Sequence, residues 1–228
     1  MSDSAWHFDE RSLSLGGAAD AVRIWAFDIG PAAYARIRSA PSASACLSPA
    51  EQARAARFLQ PEHARRFVAF HVIKRQLLAT ALQCEPRDVP FSWLPSGAPV
   101  LGVDAQLNEI GDARDWPSIS LSHSRDVGVL ALAKAGVVGV DVECQRSVSN
   151  LQALVAHRFD AADVAQFNAL AGHAGAQRDL FFQLWTAREA RYKCTGSYAR
   201  QPAECVLHWQ KDGFSYAAMH AGRAADPI

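Results

Sequence analysis

The sequence lacks the marks of exported, membrane-spanning and zinc-binding proteins. Its 5 cysteines are an odd number and form no CxxC pair, which argues against a disulfide framework or a zinc site and predicts reduced thiols. The longest apolar run, from Val127 to Ala133, ends at Lys134 and is far shorter than the roughly 20 residues of a membrane span. The N-terminal segment is polar and acidic, unlike a signal peptide. We therefore expect a cytoplasmic protein that does not enter a membrane.

The chain also lacks an excess of charge of either sign. It has 23 basic and 23 acidic side chains and a formal net charge of +0, so it has no general attraction for nucleic acid. Motifs for a P-loop, a dinucleotide-binding fold, a zinc protease and an EF-hand are absent from the sequence. An anionic ligand must therefore be bound by a local cluster of cations.

The chain contains enough apolar residues for a folded core. In each half of the sequence, a predicted strand is followed by a long predicted helix. The chain has 228 residues, of which 50% are hydrophobic, and this excludes a disordered protein. Ser48-Pro49-Ala50-Glu51 has the pattern of a capped helix start. Apolar periodicity predicts helices over 48–58, from 61 to about 81, and over 151–157, 161–171 and 177–194, and strands over 22–27, 91–94, 99–103, 119–121, 127–133, 138–144, 205–209 and 214–219.

These elements predict an α+β (α/β) fold of two similar halves, each a small sheet packed by a long helix. We expect a loose leader over 1–20, an N-terminal half over 21–120, a C-terminal half over 121–220 and a frayed tail over 221–228. Residues 127–133 and 138–144 are two apolar runs joined by Lys134-Ala135-Gly136, which predicts a hairpin in the middle of a sheet.

Two acidic residues end one of the predicted strands. Side chains alternate along a strand, so Asp141 and Glu143 point to one side while Val142 points into the core. Two carboxylates on one face repel, and Mg²⁺ is a cation that accepts such ligands together with phosphate oxygens. From the spacing alone, two solvated acids at the end of a strand are the favoured interpretation, and a magnesium site is the alternative.

A second set of polar residues lies at helical spacing. Trp185, Glu189 and Lys193 follow one another at intervals of four, so they share one stripe of the last long helix. An ordinary Glu–Lys helix pair explains the spacing by itself. Packing by Leu184 and Trp185 favours a position of the pair at the rim of a cleft, where Glu189 would add a third carboxylate and Lys193 would neutralise a phosphate.

Ser122-His123-Ser124 ends another predicted strand. No nucleophile-elbow motif surrounds it, and adjacent residues of an extended chain point apart, which disfavours a hydrolase. His123 is predicted either to donate to a phosphate or to be an ordinary loop histidine, and the sequence favours neither.

Taken together, three motifs in order resemble the 4′-phosphopantetheinyl transferases of the Sfp type. They are Ser122-His123-Ser124, the run from Val138 to Glu143, and Trp185-Thr186-Ala187-Arg188-Glu189-Ala190-Arg191-Tyr192-Lys193. The resemblance implies two halves related by a pseudo-two-fold axis, with the active site in the cleft between them. It also implies that the N-terminal half binds coenzyme A and that the C-terminal half carries the metal-binding and catalytic residues.

The resemblance further implies a reaction. The enzyme would transfer the 4′-phosphopantetheine arm of coenzyme A to a carrier-protein serine and release 3′,5′-adenosine bisphosphate. Asp141, Glu143 and Glu189 would hold Mg²⁺, with Mn²⁺ as an alternative. Glu189 would deprotonate the serine directly or through a metal-bound water, and Lys193 would contact phosphate and protonate or stabilise the leaving oxygen. The coenzyme-binding residues implied are Arg54, Arg75, Gly97, Pro99, Ser122, His123, Ser124 and Lys193.

The chain departs from the family pattern at two of these places. Ala98 stands where the family has the lysine of a Gly-Lys-Pro turn beside the adenine, which removes one cation. Arg188 stands where a lysine usually precedes the catalytic glutamate, and it keeps the charge.

By the same resemblance, the partners are coenzyme A and an apo acyl or peptidyl carrier protein of nonribosomal peptide or polyketide biosynthesis, and the enzyme is a monomer. Leu151, Leu154 and Phe159 either meet the carrier or belong to the core, and we favour the core. Two alternatives use the same residues: a divalent-metal phosphohydrolase or nucleotidyl transferase, and a coenzyme A binding module without catalysis.

Overall fold

A computed structural model describes residues 8–13, 22–102, 116–200 and 204–222, and its fold is mixed α+β, as predicted. The chain divides into a first unit, Met1–Ala135, and a second unit, Gly136–Ile228. In chain order the elements are β1 (Phe8–Leu13), β2 (Val22–Asp28), α1 (Pro31–Ser39), α2 (Pro41–Ser44), α3 (Pro49–Ala55), α4 (Pro61–Leu82), a 3-10 turn (Pro86–Asp88), β3 (Phe91–Trp93), β4 (Pro99–Leu101), β5 (Ser118–Ser124), β6 (Val127–Ala133), β7 (Val137–Cys144), α5 (Leu151–Arg158), α6 (Ala161–Ala169), α7 (Ala174–Thr195), β8 (Val206–Lys211) and β9 (Phe214–Ala221).

The first unit is built on an antiparallel sheet with the strand order β1-β2-β6-β5, covered by α4. Its core is continuous from the sheet to the helix, because Trp25 and Leu130 of the sheet and Ile73 and Leu78 of α4 are almost fully buried in one cluster. A separate two-stranded sheet, β3-β4, lies after α4.

A buried ionic cluster joins α3 to α4 in this unit. Glu51 completes the predicted capping box, since its carboxylate accepts from the Ser48 amide and its own amide donates to the Ser48 hydroxyl. The same carboxylate lies 3.1 Å from Lys74 Nζ and 2.6 Å from Arg75 Nε. Lys74 has no exposed surface, and burial lowers its pKa to about 8. One carboxylate thus compensates two buried cations while it caps a helix.

The second unit has a three-stranded antiparallel sheet, β7-β9-β8. The hairpin predicted at its C-terminal end is confirmed: Asp212 and Gly213 both have positive φ, at 52° and 78°, the backbone of a tight turn that matches strand twist. The helices α5 and α6 form a small core with α7 around Phe167 and Phe182. Leu151, Leu154 and Phe159 pack against this core, as we favoured.

A glycine sets the distance between α7 and β7. An added Cβ at Gly139 would collide with the backbone of α7, at the Ala190 carbonyl oxygen and, at 2.6 Å, the Cys194 amide nitrogen. Position 139 therefore has no room for a side chain, and the helix lies directly on the strand there.

Several features of the fold differ from the sequence predictions. The predicted hairpin of 127–133 and 138–144 is wrong, because β2 and β5 occupy both edges of β6 and β7 pairs with β9 instead. The division between units accordingly lies between Ala135 and Gly136, after the boundary expected at residue 120. Strand β1 lies within the expected loose leader, paired with β2 through its backbone. The helices α1 and α2 were not predicted, and residues 223–228 of the expected frayed tail lie outside the described residues.

Gly139→Ala is expected to lower the stability of the second unit. The new methyl group must push α7 from β7, and overpacking of this kind costs roughly 1–3 kcal/mol. Urea unfolding followed by circular dichroism measures the change. Gly175→Ala is the matched control, since a Cβ there meets nothing within 4 Å in the first turn of α7; an equal loss in both variants would contradict the close approach at Gly139.

Glu51→Gln is expected to destabilise the first unit by about 3–5 kcal/mol at neutral pH, because Lys74 and Arg75 lose their buried counter-charge. Burial raises the pKa of the Glu51 carboxyl, but the hydrogen bond with His71, the charge of Lys74 and the hydrogen bonds from Ser48 and Arg75 outweigh burial and hold this pKa far below its usual range. A lowered pKa in the folded state gives stability that is present above the ordinary pKa of 4.5 and is lost as the pH falls below it.

Urea unfolding at a series of pH values therefore separates the variants. The parent protein should lose more stability than Glu51→Gln as the pH falls from 7 towards 3. Glu62→Gln is the control, since Glu62 is 56% exposed in its side chain. If the free energy of unfolding changes with pH in the same way for the parent and for Glu51→Gln, the Glu51 carboxylate does not contribute pH-dependent stability.

Candidate functional site

The acids of β7 and the polar stripe of α7 meet in the second unit. Every second residue of β7 faces the same side, so Gly139, Asp141 and Glu143 lie on one side of the strand. The helix α7 lies against that side at Gly139. Lys193 is one helical turn beyond Glu189, so both side chains follow the same stripe of α7. The predicted grouping of these residues thus has a backbone cause, the close contact of the strand with the helix.

Lys193 links the two elements by hydrogen bonds. Its ammonium nitrogen donates to Asp141 Oδ1 at 2.8 Å and to the Val140 carbonyl at 3.1 Å. The Asp141 side chain is 7% exposed and the Lys193 side chain 30%. A buried carboxylate is therefore neutralised by a cation that still reaches solvent.

The surroundings of Glu189 raise the pKa of its carboxyl group. Burial, followed by the negative charge of Asp141, raises the pKa of Glu189, and Glu143 adds to the rise. Arg188 and Lys193 oppose it, with Arg188 Nη1 at 3.4 Å from Glu189 Oε1. The carboxylates of Asp141 and Glu143 on the strand therefore repel the carboxylate of Glu189 on the helix.

Glu143 is the most exposed of the three acids. Its side chain is 28% exposed, and Arg146 Nη1 lies 3.5 Å from its carboxylate. Within the described ranges, no three His, Cys, Asp or Glu side chains are already gathered as a group able to hold a metal ion. The chemistry of the donors suits a hard divalent cation, since all three side chains offer carboxylate oxygens, but the lysine ammonium lies against Asp141 in this arrangement.

The serine-histidine-serine motif lies in the first unit, at the end of β5 as predicted. The His123 ring packs edge-on against Phe70 of α4, with 5.4 Å between ring centroids. His123 is exposed at the surface of the sheet, whereas Ser122 and Ser124 are partly buried. The exposed histidine therefore packs against a buried residue of the core.

The two arginines implied by the resemblance have different surroundings. Arg54 is exposed on α3, with its guanidinium 5.7 Å from the centroid of the Phe67 ring. Arg75 is only 4% exposed. Besides the bond to Glu51, it donates to the carbonyls of residues 86, 87 and 89. This arrangement does not favour the phosphate contact expected of Arg75, because burial and four hydrogen bonds assign its guanidinium to the core of the first unit.

The turn beside Ala98 has the backbone that its glycine allows. Gly97 has a φ of 83°, and its amide donates to the Leu94 carbonyl between β3 and β4. Pro99 begins β4. The turn is thus built without the lysine that Ala98 replaces, and its backbone geometry does not depend on that side chain.

Sequence reasoning missed a polar cavity on the other side of α7. It measures about 270 Å³ and is lined by residues of α6, α7 and β8, together with Arg200 and Glu204. Arg191 crosses it to Glu204 at 2.8 Å, and Arg200 pairs with Asp163. Burial, then the nearby Arg191 charge, lowers the pKa of His208 in its wall. The sequence signal that could have indicated this cavity is Arg191, a charged residue among the buried positions of α7.

No helix among the described residues has the length and apolar character needed to cross a membrane.

Comparison with known proteins agrees with the motifs. Residues 137–223 match the 4′-phosphopantetheinyl transferase superfamily. The chain is 34% identical over 156 residues to a putative 4′-phosphopantetheinyl transferase of Synechocystis sp., which is 68% of this chain and 59% of that protein. It is 35% identical over 153 residues to the 4′-phosphopantetheinyl transferase HetI of Nostoc sp., which is 67% of this chain and 61% of that protein.

A third relative is the 4′-phosphopantetheinyl transferase psf-1 of Bacillus pumilus, 31% identical over 148 residues, or 64% of this chain and 56% of that protein. The chain thus spans about three fifths of the length of the relatives it matches. The family match covers β7, α7 and the β8–β9 hairpin, the elements that carry Asp141, Glu189 and Lys193. The second unit therefore matches the 4′-phosphopantetheinyl transferase superfamily over residues 137–223.

Proposed function

We propose that this protein transfers the 4′-phosphopantetheine arm of coenzyme A to a serine of an apo acyl or peptidyl carrier protein and releases 3′,5′-adenosine bisphosphate. The observation that carries the proposal is the meeting of β7 and α7. There Lys193 binds Asp141, and the charges of Asp141 and Glu143 act on Glu189. Phosphoryl transfer needs positioning and charge neutralisation more than covalent chemistry, and this site supplies both.

Glu189 is the proposed general base. The serine hydroxyl oxygen attacks the phosphorus that bears the pantetheine arm, and its proton passes to the Glu189 carboxylate. The bond from that phosphorus to the bridging oxygen breaks, and its electron pair leaves with 3′,5′-adenosine bisphosphate. A raised pKa makes a carboxylate a better proton acceptor near neutral pH, which suits this role.

Lys193 is the proposed partner of the leaving oxygen. Two of its three N–H groups bind Asp141 and Val140, which fixes the ammonium at the base of the site. The third N–H is then directed to a substrate oxygen. A fixed cation stabilises the negative charge that develops on the leaving group without having to reorient during the reaction.

The carboxylates fit the magnesium ion that the family chemistry implies, with Mn²⁺ as an alternative. Asp141, Glu143 and Glu189 would hold it, and the bound ion would neutralise the coenzyme diphosphate. Burial raises the pKa of Glu189, and the negative charges of Asp141 and Glu143 raise it further; this concentration of negative charge supports cation binding.

The coenzyme phosphates are proposed to bind the first unit at Ser122, His123, Ser124 and Arg54, and the adenine beside Gly97 and Pro99. His123 and Arg54 both offer N–H donors at the surface, and a guanidinium fork matches phosphate geometry. Arg75 is left out of the proposed site because Glu51 and three carbonyls hold it. A neutral protein thereby binds a highly charged coenzyme through a few local cations.

We place the reaction in the cytoplasm, with a monomeric enzyme that serves carriers of nonribosomal peptide or polyketide synthesis. The reduced state of the cysteines is consistent with that compartment, since all five are free thiols.

Intact-mass spectrometry of an apo carrier protein, incubated with this protein, coenzyme A and Mg²⁺, tests the function directly. A gain of one phosphopantetheine unit, absent with chelator, is expected. Binding of coenzyme A without any gain across several acyl and peptidyl carriers would favour the non-catalytic binding module. Hydrolysis of nucleotides without a carrier would favour a phosphohydrolase.

Glu189→Gln is expected to slow transfer by about 10²- to 10⁴-fold, the range lost with a general base. The amide keeps the size of the side chain and cannot accept the serine proton. Single-turnover transfer with saturating coenzyme A and carrier measures the rate. Asp179→Asn, an exposed change near the start of the same helix, should leave the rate unchanged; full activity of Glu189→Gln would sink its assignment as the base.

Lys193→Met is expected to lower the transfer rate by roughly 10²- to 10³-fold, because the leaving oxygen loses its cation. Methionine retains most of the unbranched chain, so packing against β7 is largely kept. The rate should recover in part with a synthetic donor whose leaving group is more acidic, since such a group needs less stabilisation. An equal defect with both donors would assign Lys193 a purely structural role.

Asp141→Asn is expected to weaken the effect of Mg²⁺ on coenzyme A binding by at least roughly tenfold. Isothermal titration of coenzyme A at several Mg²⁺ concentrations measures this without turnover. Binding in the presence of chelator should be nearly unchanged, because the cations of the first unit remain. If the variant responds to Mg²⁺ as the parent does, Asp141 is not a ligand.

A further inference from the structure

Two exposed tyrosines form a stacked pair at the C-terminal end of α7. Tyr192 is 45% exposed and Tyr198 is 40% exposed. Their ring centroids are 4.4 Å apart, and the ring planes differ by 16°. Large aromatic side chains left at a surface in this way are typical of contact sites for other molecules, where tyrosine is enriched.

The pair is held in place from two sides. The Arg188 guanidinium carbon lies 3.6 Å from the centroid of the Tyr198 ring, a cation–π contact. The segment that carries Tyr198 is tied to α6 by Arg200, whose Nε lies 3.3 Å from Asp160 and which also binds Asp163. The rings are therefore fixed before any partner arrives, which lowers the entropy cost of binding.

The pair also lies beside the proposed base. Tyr192 follows Glu189 by three residues, so their Cβ atoms are about 5–6 Å apart on one side of the helix. Arg188, which stacks on Tyr198, has Nη1 3.4 Å from the Glu189 carboxylate. Tyr198 stacks on both Arg188 and Tyr192, so residues on either side of a serine at Glu189 would come near this group.

We propose that the Tyr192–Tyr198 pair binds apolar side chains flanking the acceptor serine of the carrier protein. This inference rests on the proposed function and names its acceptor-binding surface. The exposed part of the two rings is on the order of 150 Å², far below the roughly 800 Å² that each partner buries in a stable complex. A contact of this size suits one part of a short-lived enzyme–substrate encounter and not a permanent dimer of this chain.

The test is a steady-state comparison of Tyr192→Ala, Tyr198→Ala and the corresponding Phe variants with the parent protein. Each Ala variant should raise the KM for apo carrier by roughly tenfold or more. The kcat at saturating carrier and the KM for coenzyme A should change by less than about twofold, since neither ring is assigned to the coenzyme or to the chemistry. The Phe variants should keep the parent KM, because ring contact and not the hydroxyl group carries the binding.

Matched controls separate this role from a loss of structure. Arg178→Ala changes an exposed residue of the same helix near its N-terminal end and should leave all three constants unchanged. Thermal unfolding of the Ala variants should remain close to that of the parent. Binding of apo carrier, measured by titration without coenzyme A, should weaken in the Ala variants by the same factor as KM.

Three results would overturn the proposal. They are an unchanged KM for carrier in both Ala variants, a rise confined to the KM for coenzyme A, and a parent dimer that dissociates when either ring is removed. Failure of the proposed function is distinct, because the parent protein itself would then modify no carrier.

Discussion

The close contact between β7 and α7 is the constraint on which the rest of the second unit depends. Gly139 leaves no room for a side chain beneath Ala190, and this fixes the distance from the strand to the helix. With that distance fixed, Lys193 reaches Asp141 at 2.8 Å and Glu189 lies within the field of the strand acids. A larger residue at 139 would separate the charges as well as the backbone, so packing and chemistry share one cause.

Charged residues serve two purposes in this protein, and burial separates them. In the first unit, Glu51 compensates Lys74 and Arg75, which are almost wholly buried and therefore hold the fold together. In the second unit, Lys193 and Glu189 keep part of their surface and remain accessible to a substrate. Counting charges gives a neutral chain, and only their exposure tells structural ion pairs from those available to a ligand.

Much of the fold was predictable because local signals were strong. The capping box at Ser48, the N-cap at Asp160 and the glycine that ends α7 at 196 each act within a few residues of the chain. Strand pairing was less predictable. The run 127–133 was correctly assigned as a strand, but it pairs with β2, which is distant in sequence, and with β5, which comes directly before it. An apolar pattern alone does not specify which strands pair.

The candidate site followed the same division. Spacing placed Asp141 and Glu143 on one side of a strand, and Glu189 and Lys193 on one side of a helix. Their order resembled a known family, which residues 137–223 match. The sequence did not distinguish Arg54 from Arg75, since both are arginines on predicted helices. The structure does, because Arg75 is buried against Glu51 and Arg54 is exposed.

The sequence by itself determined most of the elements, the α+β class and the identity of the acids and the lysine, since these depend on local periodicity and on residue chemistry. Tertiary structure decided which strands pair, which charges are buried and which aromatic rings stay at the surface. Tyr192 and Tyr198 are six residues apart in sequence, and they stack only because the chain turns back after Gly196. Such contacts depend on the path of the chain through space, which local sequence patterns do not encode.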